Sequence, residues 1–136
     1  MKRVTGIGGV FFKTPDPEKT KTWYSKHLGF NCDQYGTTFE WKQMDGAPGQ
    51  TVWSPMDTST EYYHPSKSSF MINYRVADLE ELMKVLKEEG VTIVGEMQKL
   101  DYGKFGWILD PDGNKIELWE PVTEKFAEMV KDHTTG

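Results

Sequence analysis

The chain has one cysteine, three histidines and no surplus of positive charge, and each shortage removes a class of function. A lone thiol, Cys32, cannot close an internal disulfide, so a reducing, cytoplasmic setting is expected. Cys32 lies two residues after Phe30, beyond the first helix, and reads as a small buried hydrophobe, with no neighbour that would make it a reactive thiolate. Lys and Arg number 16 against 21 Asp and Glu, a formal charge of −5. Nucleic-acid binding draws its affinity from clustered cations, so no nucleic-acid partner is expected. No apolar run is long enough to cross a bilayer, and Met-Lys-Arg-Val-Thr-Gly lacks the apolar stretch of a secretion signal. A length of 136 residues suits one domain with its own core.

What is present gathers around Asp110-Pro111-Asp112-Gly113-Asn114-Lys115-Ile116-Glu117-Leu118-Trp119. Proline presets the second residue of a turn, and glycine accepts the positive φ that closes it. The run that follows alternates. In a strand Ile116 and Leu118 share one face, while Lys115, Glu117 and Trp119 share the other. With Ile116 and Leu118 toward a core, Glu117 points from rigid backbone into whatever the opposite face lines. A solvated strand face is the plainer reading of the same pattern.

The rest of the chain reads as strand, helix and short strands, twice. Val4 to Phe12 is a glycine-rich strand, in which Gly6, Gly8 and Gly9 mark a bulge or a close backbone approach. Asp16-Pro17-Glu18 starts a helix and Gly29 stops it, with Thr20, Trp23, Tyr24, His27 and Leu28 along one face. Asn31 to Tyr35, Thr38 to Gln43 and Gln50 to Ser54 read as strands, and the polar segment 57–68 reads as a connector. The pattern then restarts at Ser69 to Val76. Phe70, Ile72, Tyr74 and Val76 fall on one face, Met71, Asn73 and Arg75 on the other. Each fully buried side chain of the apolar set contributes roughly 1.5–3 kcal/mol, which fixes that face inward. Asp78-Leu79-Glu80-Glu81 has capping-box spacing, Leu79, Leu82, Met83 and Leu86 form the stripe, and Gly90 ends the helix. Val91 to Val94, about Glu96 to Asp101, and Phe105 to Leu109 are further strand candidates. The two caps lie 78 − 16 = 62 residues apart and the two stop glycines 90 − 29 = 61, the signature of an internal repeat. Thr123 to Lys131 reads as a C-terminal helix capped by Thr123.

The expected architecture is therefore α+β. Two βαβββ modules, about 4–56 and 69–121, form a curved mixed sheet around one cleft, and a helix at 123–131 follows. The duplicated module, Pro15-Asp16-Pro17 with Trp23-Tyr24 and Leu28-Gly29-Phe30, and the Asp110 to Glu117 run together resemble the vicinal oxygen chelate superfamily. That group includes glyoxalase I, extradiol dioxygenases, fosfomycin-resistance and bleomycin-resistance proteins. The resemblance implies a cup-shaped sheet around one small-molecule site, and a homodimer. In metal-dependent members a divalent cation is held by His or Gln on the first strand, His on the fifth and Glu on the eighth. Glyoxalases add a Glu on the fourth. Glu117 matches the eighth-strand glutamate. Counting from the caps puts Gly9 and Met71 at the first- and fifth-strand positions, and the fourth-strand position falls near Val52 or Trp53. Glycine offers no ligand atom, and a thioether is a poor donor for Mg, Mn or Zn held mainly by oxygen and imidazole. Of the histidines, His27 ends a helix, His133 lies in the tail, and His64 reaches Glu117 only if the connector folds over the cup.

The expected cup face carries Phe11, Trp53 or Val52, Met71, Asn73, Arg75, Trp107 or Ile108, Glu117 and Trp119, with Tyr102 at the rim. An apolar, aromatic wall with a few convergent polar groups is the usual make-up of a small-molecule pocket. Core packing is the competing reading for Phe11, Trp53 and Trp107, and the facing of Glu40 and Trp41 stays open. Two functions follow. In one the protein binds a small, partly apolar molecule without a complete metal triad or any cofactor. In the other it is a glyoxalase-like lyase with Glu117 as metal ligand, or as a base whose pKa burial raises.

Overall fold

The computed structural model describes residues 1–136. One seven-stranded mixed sheet carries three helices. In chain order these are β1 (Val4–Thr14), α1 (Pro17–Leu28), β2 (Thr37–Lys42), β3 (Pro48–Asp57), β4 (Phe70–Val76), α2 (Leu79–Glu88), β5 (Gln98–Leu100), β6 (Gly103–Leu109), β7 (Lys115–Pro121) and α3 (Thr123–Val130). The sheet order is β2-β3-β1-β4-β7-β6-β5. β1 and β4 pair antiparallel at the centre, and each has a parallel neighbour from its own half, β3 for β1 and β7 for β4. The repeat read from the caps thus becomes an approximate two-fold axis between β1 and β4.

The second half is strand, helix and three strands, as expected. The first half has two strands after its helix rather than three. Asn31 to Tyr35 is irregular because the Asp33 carboxylate accepts the N–H groups of Tyr35 and Gly36, a local turn that competes with strand pairing. Val91 to Val94 makes a single bridge, Ile93 to Ile108, and not a full strand.

The helix ends follow their chemistry. Asp16 accepts the Lys19 N–H and Gly29 sits at φ 72°, its N–H donated to the Ser25 carbonyl. Asp78 accepts the Glu81 N–H, but Glu81 does not return the bond of a full capping box. Glu120 from β7 accepts the Leu79 N–H instead, at 2.8 Å. Val122, not Thr123, stands at the cap position of α3, and no side chain caps that helix. The stripe of α1 is also not the expected one. Thr20 and Tyr24 pack inward, whereas Trp23 and Leu28 are exposed, and Lys21 is buried with its ammonium held by Glu18 and the Gln34 carbonyl. Cys32 is half-buried.

Two apolar clusters lie on opposite faces of the sheet. Under α2, Val76, Leu79, Leu82, Ile108 and Leu118 pack with Tyr74 and Ile116. On the other face Met71, Trp107 and Tyr63 pack with Phe11, Met56 and Phe105. Phe70, at the open end of β4, is largely exposed. The pair Ile116 and Leu118 thus faces the helices, which sends Glu117 to the cup.

Candidate functional site in the cup

Glu117 is 2% exposed and both of its carboxylate oxygens accept hydrogen bonds. Oε1 accepts the Asn73 side-chain amide at 2.7 Å; Oε2 accepts the Trp107 indole N–H at 2.9 Å and the Tyr62 hydroxyl. Sheet register brings the first two donors into place, because Asn73 and Trp107 lie directly opposite Glu117 on β4 and β6. The third comes from the connector, which folds over this end of the cup. It delivers Tyr62 and Tyr63, not His64, to the site. Tyr63 is fully buried against Met71 and Trp107. Burial, then the Glu117 charge, raises the phenols of both tyrosines above their ordinary value. Lys115 closes the corner. Its ammonium donates to the Tyr62 carbonyl at 2.7 Å and sits over the Tyr62 and Trp107 rings, and burial lowers its pKa, offset in part by Glu117. Sequence reading missed this connector. The one signal was a pair of adjacent aromatics in an otherwise polar segment.

Two residues further along β4 the arrangement changes. Arg75 is also 2% exposed, but no carboxylate pairs with it. Its guanidinium lies over the rings of Trp41 and Trp119 at 5.7 and 5.4 Å. It donates to Gln50 Oε1 at 3.1 Å and to Thr123 Oγ1, on α3, at 3.4 Å. Arg75 Nε and Gln50 Nε2 are buried without partners. Burial lowers the Arg75 pKa. Space for this stack comes from missing side chains. A Cβ at Gly6 or Gly49 would strike the Trp41 indole at 2.6 Å, and one at Gly8 would fall on Asn73 and Trp119. Gly8 is the extra residue of a bulge in β1, between the pairs Ile7 with Tyr74 and Gly9 with Asn73.

α3 covers this second end. Phe126 packs edge-on to Trp119 at 4.7 Å, and the tail returns to β2 through the Thr38 to Thr134 bridge. Between α3 and β2–β3 lies a cavity of about 550 Å³ lined by Val52, Tyr102, Phe126, Met129, Val130 and His133 among others. Of the residues singled out from the sequence, Phe11, Met71, Asn73, Arg75, Trp107, Glu117 and Trp119 share the cup face, and Tyr102 lines the cavity. Trp53 does not join them. It packs on Phe12, Tyr24 and Phe30 beneath α1, and Val52 takes the cup-facing position on β3. Gln50, missed from the sequence, lies two residues before Val52 on the same face.

Residues 6–118 match the family model of the Glyoxalase/Bleomycin resistance protein/Dioxygenase superfamily. The chain belongs to that superfamily. Solved structures similar to it include methylmalonyl-CoA epimerase from Mycobacterium tuberculosis, 22% identical over 91% of this chain and 93% of that one, with a TM-score of 0.57. A variant of the Streptomyces coelicolor methylmalonyl-CoA epimerase in complex with 2-nitronate-propionyl-CoA is 16% identical over 88% and 99%, TM-score 0.64. A superfamily member from Vibrio splendidus 12B01 is 14% identical over 84% and 97%, TM-score 0.54. At these identities the likeness shows the fold. No curated protein matches the chain.

The superfamily's divalent metal does not fit the residues this chain sets at the ligand positions. Gly9 has no donor atom, and even a Cβ there would lie 2.9 Å from the Phe11 ring. Met71 is sealed in the apolar cluster with Tyr63 and Trp107. Val52 is apolar, and both Glu117 oxygens are already bonded. His27 packs at a tilt against Trp23 at the far end of α1, and His133 lines the cavity under α3. No group of three or more His, Cys, Asp or Glu side chains gathers anywhere in the fold.

Proposed function

We propose that this superfamily member is a binding domain for a small, partly apolar molecule, taken up against the cup face under α3, and that its function does not depend on a divalent cation. The cavity beside Val52, Tyr102 and Phe126 carries this reading. Its volume falls in the range of about 300–1,000 Å³ typical of small-molecule pockets, and its lining mixes apolar walls with a few polar groups. Glu117 serves as a fixed anchor. A general base must reach the substrate proton, whereas Glu117 is 2% exposed, does not line the cavity, and is held in place by Asn73, Trp107 and Tyr62. A glyoxalase-type isomerisation would also need a substitute for the metal that stabilises the developing enediolate. Lys115 is tied to the connector and Arg75 lies at the other end of the cup.

Calorimetric titration with a neutral flat probe, benzamide, tests the site. Met129 lines the cavity yet is exposed, so Met129→Trp fills the space without disturbing the core, and at least a tenfold loss of probe affinity is expected. Unchanged affinity in the variant, or no binding to the wild type, would sink the reading. Elemental analysis of protein purified without chelators tests the other half. Substoichiometric metal is expected, and one equivalent of a divalent ion would restore the lyase alternative.

A further inference from the structure

The cup ends in a buried cation that nothing in the chain neutralises. A guanidinium removed from water keeps its charge, and an uncompensated buried charge is among the costliest features a fold can retain. Buried charges are therefore ordinarily paired, yet Arg75 has a neutral amide, a hydroxyl and two indole faces around it. Two N–H donors, Arg75 Nε and Gln50 Nε2, are left over, and buried donors without acceptors are rare in finished cores. The nearest element adds to the imbalance. α3 begins beside Arg75 with no side-chain cap, so the positive end of its dipole faces the same region, and the one acid of its first turn, Glu124, is exposed to solvent. Glu117, the buried carboxylate of the cup, is turned to its own three donors.

We propose that Arg75, Gln50 and Thr123 anchor a carboxylate carried by the cup ligand, which is therefore a flat, apolar acid bound as its monoanion. This deepens the small-molecule reading above and rests on it. A planar guanidinium fork matches a carboxylate, and the indoles of Trp41 and Trp119 lie against it as flat walls, which suit a planar group better than a tetrahedral one. One buried positive charge is balanced by a monoanion, whereas a phosphate dianion would exchange an unpaired cation for an unpaired anion. None of the three anchor residues lines the cavity itself, but two of its lining residues are their neighbours in the chain. Val52 is two residues from Gln50 on the same face of β3, and Phe126 is one helical turn from Thr123 on α3.

The test compares sodium benzoate with benzamide, its neutral isostere, by calorimetric titration of the intact protein at pH 7. Benzoate is expected to bind at least tenfold tighter. Arg75→Met and, separately, Gln50→Glu are expected to abolish the preference, leaving benzoate and benzamide within about twofold of one another in the same variant. Gln50→Glu supplies the missing carboxylate from within the chain, so it is also expected to raise the melting temperature, and it decides the matter should Arg75→Met fail to fold. Equal binding of the two probes to the wild type would overturn this proposal and leave the binding reading intact. A preference for benzoate that survives either variant would overturn it as well, and no binding of either probe would remove both.

Discussion

At the connector end of the cup a buried carboxylate is met by three donors from three different segments; at the α3 end a buried guanidinium is met by two weak acceptors and two aromatic faces. Both groups are equally hidden from water, they sit on adjacent strands, and one fold made both. What separates them is satisfaction. Glu117 has its hydrogen bonds supplied by sheet register and by a loop that reaches back 55 residues, so it behaves as part of the scaffold. Arg75 retains donors with nothing to give them to, so its partner is sought outside the chain. Each end also keeps two buried polar atoms without partners, Tyr63 Oη and Asn73 Oδ1 near Glu117 and Gln50 Nε2 and Arg75 Nε at the other end, so it is the filling of the charged group's own bonds, and not burial, that distinguishes an anchor from a binding group.

The sharpest way to break this comparison is to remove the anchor. Glu117→Ala leaves the Asn73 amide and the Trp107 N–H buried, and the Tyr62 hydroxyl part-buried, without an acceptor. Each stranded donor costs about 1–3 kcal/mol, so a loss of about 3–5 kcal/mol in unfolding free energy is expected, read from denaturant melts. Glu117→Gln, which keeps one acceptor oxygen, should cost less than half as much. If both variants are within 0.5 kcal/mol of wild type (an illustrative threshold of about the size of ordinary surface substitutions), the carboxylate is not structural.

Tyr62→Phe probes the connector alone. It removes one hydrogen bond to a charged acceptor, about 1.5–3 kcal/mol, and should raise amide exchange across residues 58–68 more than in β4 or β7. The same tyrosines set an alkaline limit. Burial and the Glu117 charge raise the Tyr62 phenol above its ordinary value of 10.0, and burial raises Tyr63 likewise. The unfolded chain then loses these protons near pH 10 while the folded chain keeps them, so their stabilisation is complete below that pH and falls as pH rises beyond it. Lys115 works in the opposite sense. Its pKa lies below 10.5 when folded, so the unfolded chain holds the extra proton between the two values and stability rises with pH there. Melts from pH 8 to 11 should show a net fall above pH 10 in the wild type and a shallower one in Tyr62→Phe.

How far the sequence carried this picture differs from strand to strand. Around Glu117 it carried nearly everything, because Asp-Pro-Asp-Gly pins the register and Ile116 and Leu118 alternate with polar neighbours. β4 was equally legible, and Arg75 could be placed on the cup face although its isolation could not. β3 defeated the same logic. Val52 and Trp53 are both apolar and the strand is covered on both sides, so alternation gave no sign which of the two faces the cup; Val52 does, and Trp53 packs beneath α1. The connector was opaque for another reason. Tyr62 meets Glu117 across 55 residues of chain with no periodicity to announce it, and a contact of that range is invisible to any local pattern. Asn31 to Tyr35 failed because a single side chain, Asp33, outcompeted strand pairing.

The smallest expected effect is the most informative. Arg75→Met removes a charge of nearly the same volume from a site that never neutralised it, leaving the indoles of Trp41 and Trp119 against a flexible apolar chain. Replacement of buried ionic groups by well-packed hydrophobes is often neutral or stabilising, so a change within about 1 kcal/mol of wild type, in either direction, is expected from the same denaturant melts that read Glu117→Ala. Gln50 loses one bond in the exchange, which limits any gain. If the variant instead falls by as much as Glu117→Ala, the guanidinium is as structural as the carboxylate. The two ends of the cup would then be alike, and the spare donors at Arg75 would be met by buried water and not by a ligand.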